Sequence, residues 1–213
     1  LAYRDRGGLA LEAALPLLGG HQIDNAGLAI ACLRRLWNDD GGASVRRAAS
    51  QLATVRLPGR VELMGQRPGR VVDGAHTAAS ARALAAAIAP LPGRRHWVLS
   101  ISEGKDLGAI LDALLQDACS VTVTRAEPRR SLDPTVLAAA VAERIPEASV
   151  RIEPDPARAV REACAGAAPT DLVVATGSVY LAGIARSAWA DAPDAPAPGP
   201  PGPAVVTARG PRP

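Results

Sequence analysis

The chain has 213 residues, 48% hydrophobic and 21% charged, with a formal charge of +3. That length buries a substantial core in one or two domains without disulfides or structural metal. No apolar run reaches the roughly 18 residues of a transmembrane helix, LAYRDRGG is no secretory signal, and the basic residues form no cluster beside aromatics, so neither a membrane nor a nucleic-acid partner is expected.

Phe is absent and there are only three Trp and two Tyr, so aliphatic side chains must fill the core. Lys occurs once, at Lys105, among 24 basic residues. Cys32, Cys119 and Cys164 lack the spacing of a zinc site and lie in apolar stretches. They are expected to be buried free thiols of a cytoplasmic protein. The chain opens on Leu1, as a processed chain or a piece of a longer one would.

In chain order, residues 1–20 predict one or two short β segments with glycine turns. Asp24 or Asn25 is placed to cap a helix whose stripe is Leu28, Ile30, Ala31, Leu33 and Leu36, ended by NDDGG. A short helix is expected around 44–52. Short strands then follow at 61–64 and 70–72, separated by a Gly/Pro turn. Helices are predicted at 77–89, 106–116, 134–144, 156–165 and 179–189. Strands are predicted at 96–101, 120–124, 149–152 and 171–176. Such alternation means βαβ units and a mostly parallel sheet, and the continuous apolar run Leu172-Val173-Val174-Ala175 suits a strand covered on both faces. The Pro/Ala/Gly-rich residues 191–213 are expected to be disordered.

Ligands of such sheets bind at the carboxyl ends of strands. Three junctions there carry polar residues. In VVDGAHTAAS, Asp73 and His76 either shape a turn and helix start or project a site above the sheet edge. In VVATGSVYLAG, Ser178 either caps the last helix or offers its hydroxyl to a ligand. In SISEGKDLGAIL, Glu103, Lys105 and Asp106 form either a solvated turn or a site. Arg60, in LPGR, can grip phosphate or carboxylate bidentately or simply lie on the surface. The chain has no G-x-x-x-x-G-K-[ST] phosphate loop and no G-x-S-x-G elbow.

HQIDNA, LPGR, VVDGAH, KD and ATGSVYLAG occur in an order and at intervals that resemble the C-terminal part of the folylpolyglutamate synthase/dihydrofolate synthase family, relatives of the Mur ligases. The likeness runs over roughly residues 10–190. It departs at DGAHTA, where the family reads DGAHNP, at SEGKD, where relatives often have Asp before the Lys, and at Leu57, where Trp is common.

The resemblance implies an α/β fold: a Rossmann-like Mur ligase C-terminal domain over residues 57–190, preceded by the tail of an ATPase domain (1–40) and a linker (41–56). It implies an ATP-dependent acid–amino-acid ligase that adds L-glutamate to dihydropteroate and/or tetrahydrofolate through an acyl phosphate. ATP and magnesium are the implied cofactors, and the phosphate loop and magnesium ligands are expected upstream. Asn25, Arg60 and Asp73 match ATP-contacting positions; His76 and Ser178 match positions that hold glutamate. No catalytic residue is assigned within this chain, which alone is expected to be inactive; a monomer is expected. Another Mur-type amino-acid ligase, or a non-catalytic remnant or binding domain, stands as the alternative.

Overall fold

The computed structural model describes residues 1–37, 42–145 and 149–190. Residues 191–213, expected to be disordered, lie outside them, as does most of the NDDGG break. The chain divides after Leu57 into two units, each with its own core.

In the first unit, β1 (Ala2–Arg4) and β2 (Ala10–Glu12) pair antiparallel, Tyr3 opposite Leu11. Asp5 closes the turn by accepting the Leu9 N–H at 2.9 Å. Helix α1 runs Gly20–Leu36, with Gly19 at its N-cap. Asp24 and Asn25 therefore sit inside the helix, not at its start. Its buried stripe is Gln22, Ala26 and Ile30, at i, i+4 and i+8, while Leu28 and Leu36 are 66% and 75% exposed. Of the expected stripe only Ile30 is buried, packed against the hairpin and the next helix, and the rest of the buried face is Gln22 and Ala26. Cys32 falls on the exposed side of α1, and Cys119 and Cys164 are only half-buried, so the three cysteines form no disulfide but are not the buried residues expected. Helix α2 (Ala43–Ser50) and a 3-10 turn (Gln51–Thr54) follow. The short helix expected around 44–52 is present, and its Val45 and Ala49 share a core with Leu9, Leu11 and Ile30.

The second unit is α/β. Strands β3 (Glu62–Gln66) and β4 (Gly69–Val72) form an antiparallel hairpin. Helix α3 (Ala78–Ile88) and then four βα steps follow: β5 (Arg95–Leu99), α4 (Leu107–Leu114), β6 (Ala118–Val123), α5 (Pro134–Ala142), β7 (Ser149–Ile152), α6 (Pro156–Ala165), β8 (Leu172–Thr176) and α7 (Val179–Ala190). The elements match the sequence reading to within a few residues at each end. Side chains set the helix starts: Thr77, Asp106, Asp133 and Asp155 each accept a first-turn N–H. Thr77 and Ser80 form a reciprocal capping pair, so the helix after DGAHTA is capped without the family's Asn-Pro.

The sheet order is β3-β4-β8-β5-β6-β7, parallel from β4 onward. The last strand of the chain is inserted between β4 and β5. Val98, Val173 and Ala175 pack under α6 and α7 with Leu181, Ala185 and Trp189. Trp97, one residue out of phase, turns to the opposite face, where α3 and α4 meet. Leu172 to Ala175 are buried throughout, as expected of a strand covered on both sides.

Candidate functional site

The insertion of β8 makes the carboxyl ends of β4, β8, β5 and β6 neighbours. Their four loops surround a cleft of about 440 Å³ whose walls include His76, Lys105, Glu127, Arg129, Arg130 and Ser178. Two residues singled out in the sequence, His76 and Ser178, are therefore brought together from 102 positions apart, although each lay in a separate motif.

The DGAH loop is shaped by Asp73. Its buried carboxylate accepts the Val61 N–H at 2.8 Å through Oδ2 and the Ala75 N–H at 2.7 Å through Oδ1. The first bond holds Val61 at φ 47°, left-handed backbone that a β-branched residue rarely adopts. The LPGR loop is further tied by Gly74 N–H to Gly59 carbonyl (2.9 Å) and Gly59 N–H to Glu62 (2.8 Å), and Arg186 pairs with Glu62 at 2.7 Å. Arg60, exposed, lies beside the DGAH backbone: a Cβ on Gly74 would stand 2.8 Å from its Nη1. Arg60 and Asp73 thus form a group of their own beside the cleft, not part of its wall.

His76 Nδ1 lies 2.8 Å from the Gly74 carbonyl. A carbonyl only accepts, so Nδ1 carries the proton and Nε2 is the atom left for a ligand. It accepts when the ring is neutral and donates when the ring is protonated.

At the β8 junction Gly177 adopts φ 99°, and a Cβ there would lie 2.6 Å from the Ser100 carbonyl. Only glycine allows β8 to turn this close to the end of β5. Ser178 follows, 3% exposed. Its Oγ accepts the Tyr180 N–H at 3.1 Å and donates to Glu127 Oε1 at 3.4 Å. The hydroxyl therefore does both jobs left open by the sequence: it supports the start of α7 and it faces the cleft.

Sequence reasoning missed Glu127, Arg129 and Arg130. They sit in AEPRRS after β6, a stretch that reads as an ordinary polar loop. Two hydrogen bonds stitch it to the loop after β5, Ala126 N–H to Ser100 Oγ (3.0 Å) and Glu103 N–H to the Arg130 carbonyl (2.8 Å), and within it Ser131 Oγ accepts the Glu127 N–H (3.0 Å). Lys105 joins the same wall, which gives the sequence's only lysine a shared site, while Asp106 is occupied in capping α4.

Asn25 belongs to the first unit, where it is exposed on α1 and donates to the buried Gln22 at 3.3 Å. Among the described residues no three His, Cys, Asp or Glu side chains are grouped to hold a metal ion. No helix among them is long and apolar enough to cross a membrane.

Residues 59–179 match the sequence profile of the family described as Mur ligase, glutamate ligase domain. The chain belongs to this family. Over 180 residues it is 33% identical to the probable bifunctional folylpolyglutamate synthase/dihydropteroate synthase of Haloferax volcanii, a match that covers 84% of this chain and 21% of that one. Over 208 residues it is 35% identical to the dihydrofolate synthase/folylpolyglutamate synthase of Mycobacterium tuberculosis, covering 88% and 42%. The solved Mycobacterium tuberculosis folylpolyglutamate synthase complexed with ADP superposes with a TM-score of 0.76 at 32% identity, over 89% of this chain and 46% of that one. The chain thus spans less than half the length of each of these relatives. The matched span of the Mur ligase family starts within LPGR and ends within GSVYL, and it contains every lining residue of the cleft except Tyr180, which directly follows it.

Proposed function

We propose that the chain is the C-terminal portion of an ATP-dependent ligase that joins L-glutamate to the carboxylate of dihydropteroate, of a reduced folate, or of both. The observation that carries this is the cleft itself. Four loops of a glutamate ligase domain converge on it, and Lys105, Arg129 and Arg130 supply the cationic groups that a dicarboxylate substrate requires, with His76 beside them in the wall. His76 and Ser178 are the residues assigned to glutamate.

Arg60 and Asp73 are assigned to ATP together with Asn25, and their roles differ. The exposed guanidinium of Arg60 is the group suited to phosphate. Asp73 acts chiefly by shaping the loop that presents it, since both carboxylate oxygens already hold backbone N–H groups. The magnesium ligands and the phosphate loop are assigned, as the family resemblance implies, to sequence outside this segment, where magnesium would neutralise charge on the transferring phosphoryl group. What this domain does in the reaction is to hold the amino acid so that its nitrogen meets the acyl phosphate. A cytoplasmic, monomeric protein is the accompanying proposal, in keeping with free cysteines.

The test is ATP- and magnesium-dependent transfer of labelled glutamate to dihydropteroate and to tetrahydrofolate. The 213-residue chain is compared with a longer protein in which it is fused behind a phosphate-loop domain of the same family. Product from the longer protein alone is expected. Turnover by the chain alone would overturn the placement of the phosphate grip, and no product with either acceptor from the longer, folded protein would overturn the substrate class.

A further inference from the structure

If the cleft holds an amino acid, the direction of its hydrogen bonds decides which end of the ligand meets Ser178. A serine hydroxyl has one proton and two lone pairs. Ser178 sends its proton to Glu127 Oε1 at 3.4 Å and uses a lone pair on the Tyr180 N–H. What it has left to offer is the other lone pair, an acceptor and not a donor. Ser102 likewise donates to Glu127 Oε1, at 3.5 Å, while Oε2 takes no hydrogen bond among the described residues. Ser178 and Glu127 together therefore present acceptors and a negative charge. That arrangement repels a carboxylate and fits an ammonium group.

The charges of the cleft sort the same way. An α-amino dicarboxylic acid has two anionic ends and one cationic end. Lys105, Arg129 and Arg130 match the anionic ends. Of the two carboxylates in the wall, Glu103 is exposed, whereas Glu127 is half-buried and held by two hydroxyls. The Glu127 backbone is fixed by Ser131, so the carboxylate is positioned before a ligand arrives.

We propose that Glu127, with Ser178, binds the ammonium group of the incoming amino acid and so specifies an amino acid over any other dicarboxylate. This places Ser178 at the amine end of glutamate. It also gives a fixed place to the nitrogen, which attacks the acyl phosphate as the free amine after losing a proton. The assignment rests on the glutamate reading of the cleft.

The experiment is an NMR titration of the 213-residue chain with L-glutamate and with glutarate, which keeps both carboxylates and lacks the amine. Shifts of the His76, Lys105 and Ser178 amides are read in wild type and in Glu127→Gln, an isosteric change that keeps an acceptor for the two serines. Wild type is expected to prefer L-glutamate about tenfold, the factor that one charge-assisted hydrogen bond supplies. In Glu127→Gln that preference falls to near unity while glutarate binds within about twofold of wild type. The wild-type comparison needs no variant and stands even if Glu127→Gln fails to fold: equal binding of the two ligands overturns the proposal. So does an unchanged preference in a folded variant, with the glutamate reading left intact. No shift of these amides with either ligand overturns the glutamate reading, and the Glu127 assignment with it.

Discussion

Asp73 shows how one side chain can serve a site without lying in it. Its two oxygens hold the Val61 and Ala75 N–H groups, and the first of these bonds keeps Val61 in left-handed backbone, which costs about 1–2 kcal/mol for an L residue. The result is an LPGR loop folded back on DGAH, with Arg60 beside Gly74. Asp73→Ala is expected to destabilise the protein by about 1.5–3 kcal/mol, the worth of hydrogen bonds to a charged group, read as a lower urea midpoint at unchanged slope. His76 illustrates the same economy, because its Nδ1–H bond to Gly74 fixes which ring nitrogen is left for a ligand. The motif DGAH was legible in the sequence. That its Asp is spent on the backbone and its His points one nitrogen at a cleft was not, because both depend on partners brought in by folding.

Among the elements, the strand-to-helix junctions carry most of the chemistry. The turn from β8 into α7 works only because Gly177 has no side chain to strike the Ser100 carbonyl. Gly177→Ala is expected to cost at least about 1–3 kcal/mol from backbone strain alone and to push Ser178 away from Glu127. Thermal or urea unfolding measures the first effect, and loss of the glutamate-induced shift at Ser178 the second.

At the opposite edge of the sheet, Asp171 leads into β8 and receives Arg94 (3.1 Å), His96 of β5 (3.0 Å) and the Ala168 N–H (3.0 Å). Burial pushes its pKa up, but the hydrogen bonds from Arg94, His96 and Ala168 outweigh that and hold the carboxyl well below the usual range. A depressed folded-state pKa contributes stability above the unfolded value near about 4 and loses it as pH falls toward the folded one. Wild-type stability should therefore fall as pH drops below about 5, and Asp171→Asn should show a flatter dependence in urea titrations between about pH 5 and pH 3. Equal slopes for the two proteins would show that this carboxylate does not tie the β5 and β8 ends together.

For the whole molecule, the decisive feature is the strand order. β7 is followed through α6 by β8, which crosses back to lie between β4 and β5. That single placement puts GSVY beside DGAH and beside the loops after β5 and β6. The second unit has its own core and contains every residue of the cleft. A protein of residues 58–190 is expected to fold cooperatively by itself, with His76, Lys105 and Ser178 amide shifts matching those of the full chain by NMR. A molten spectrum would show that its core is insufficient alone.

The sequence by itself determined the α/β class and nearly every element, because periodicity and turn chemistry act over a few residues. It also determined the motifs that resemble the Mur ligase relatives. Tertiary structure decided the rest. Only packing picked Gln22, Ala26 and Ile30 over Leu28 and Leu36 as the buried stripe of α1, since burial depends on what lies opposite a helix and not on hydrophobicity alone. Only the sheet order joined His76 to Ser178 and brought in Glu127, Arg129 and Arg130, whose loop carries no motif. Only the folded hydrogen bonds gave Ser178 its direction, because a hydroxyl donates or accepts according to the neighbours it meets, and those neighbours come from strands far apart in the chain.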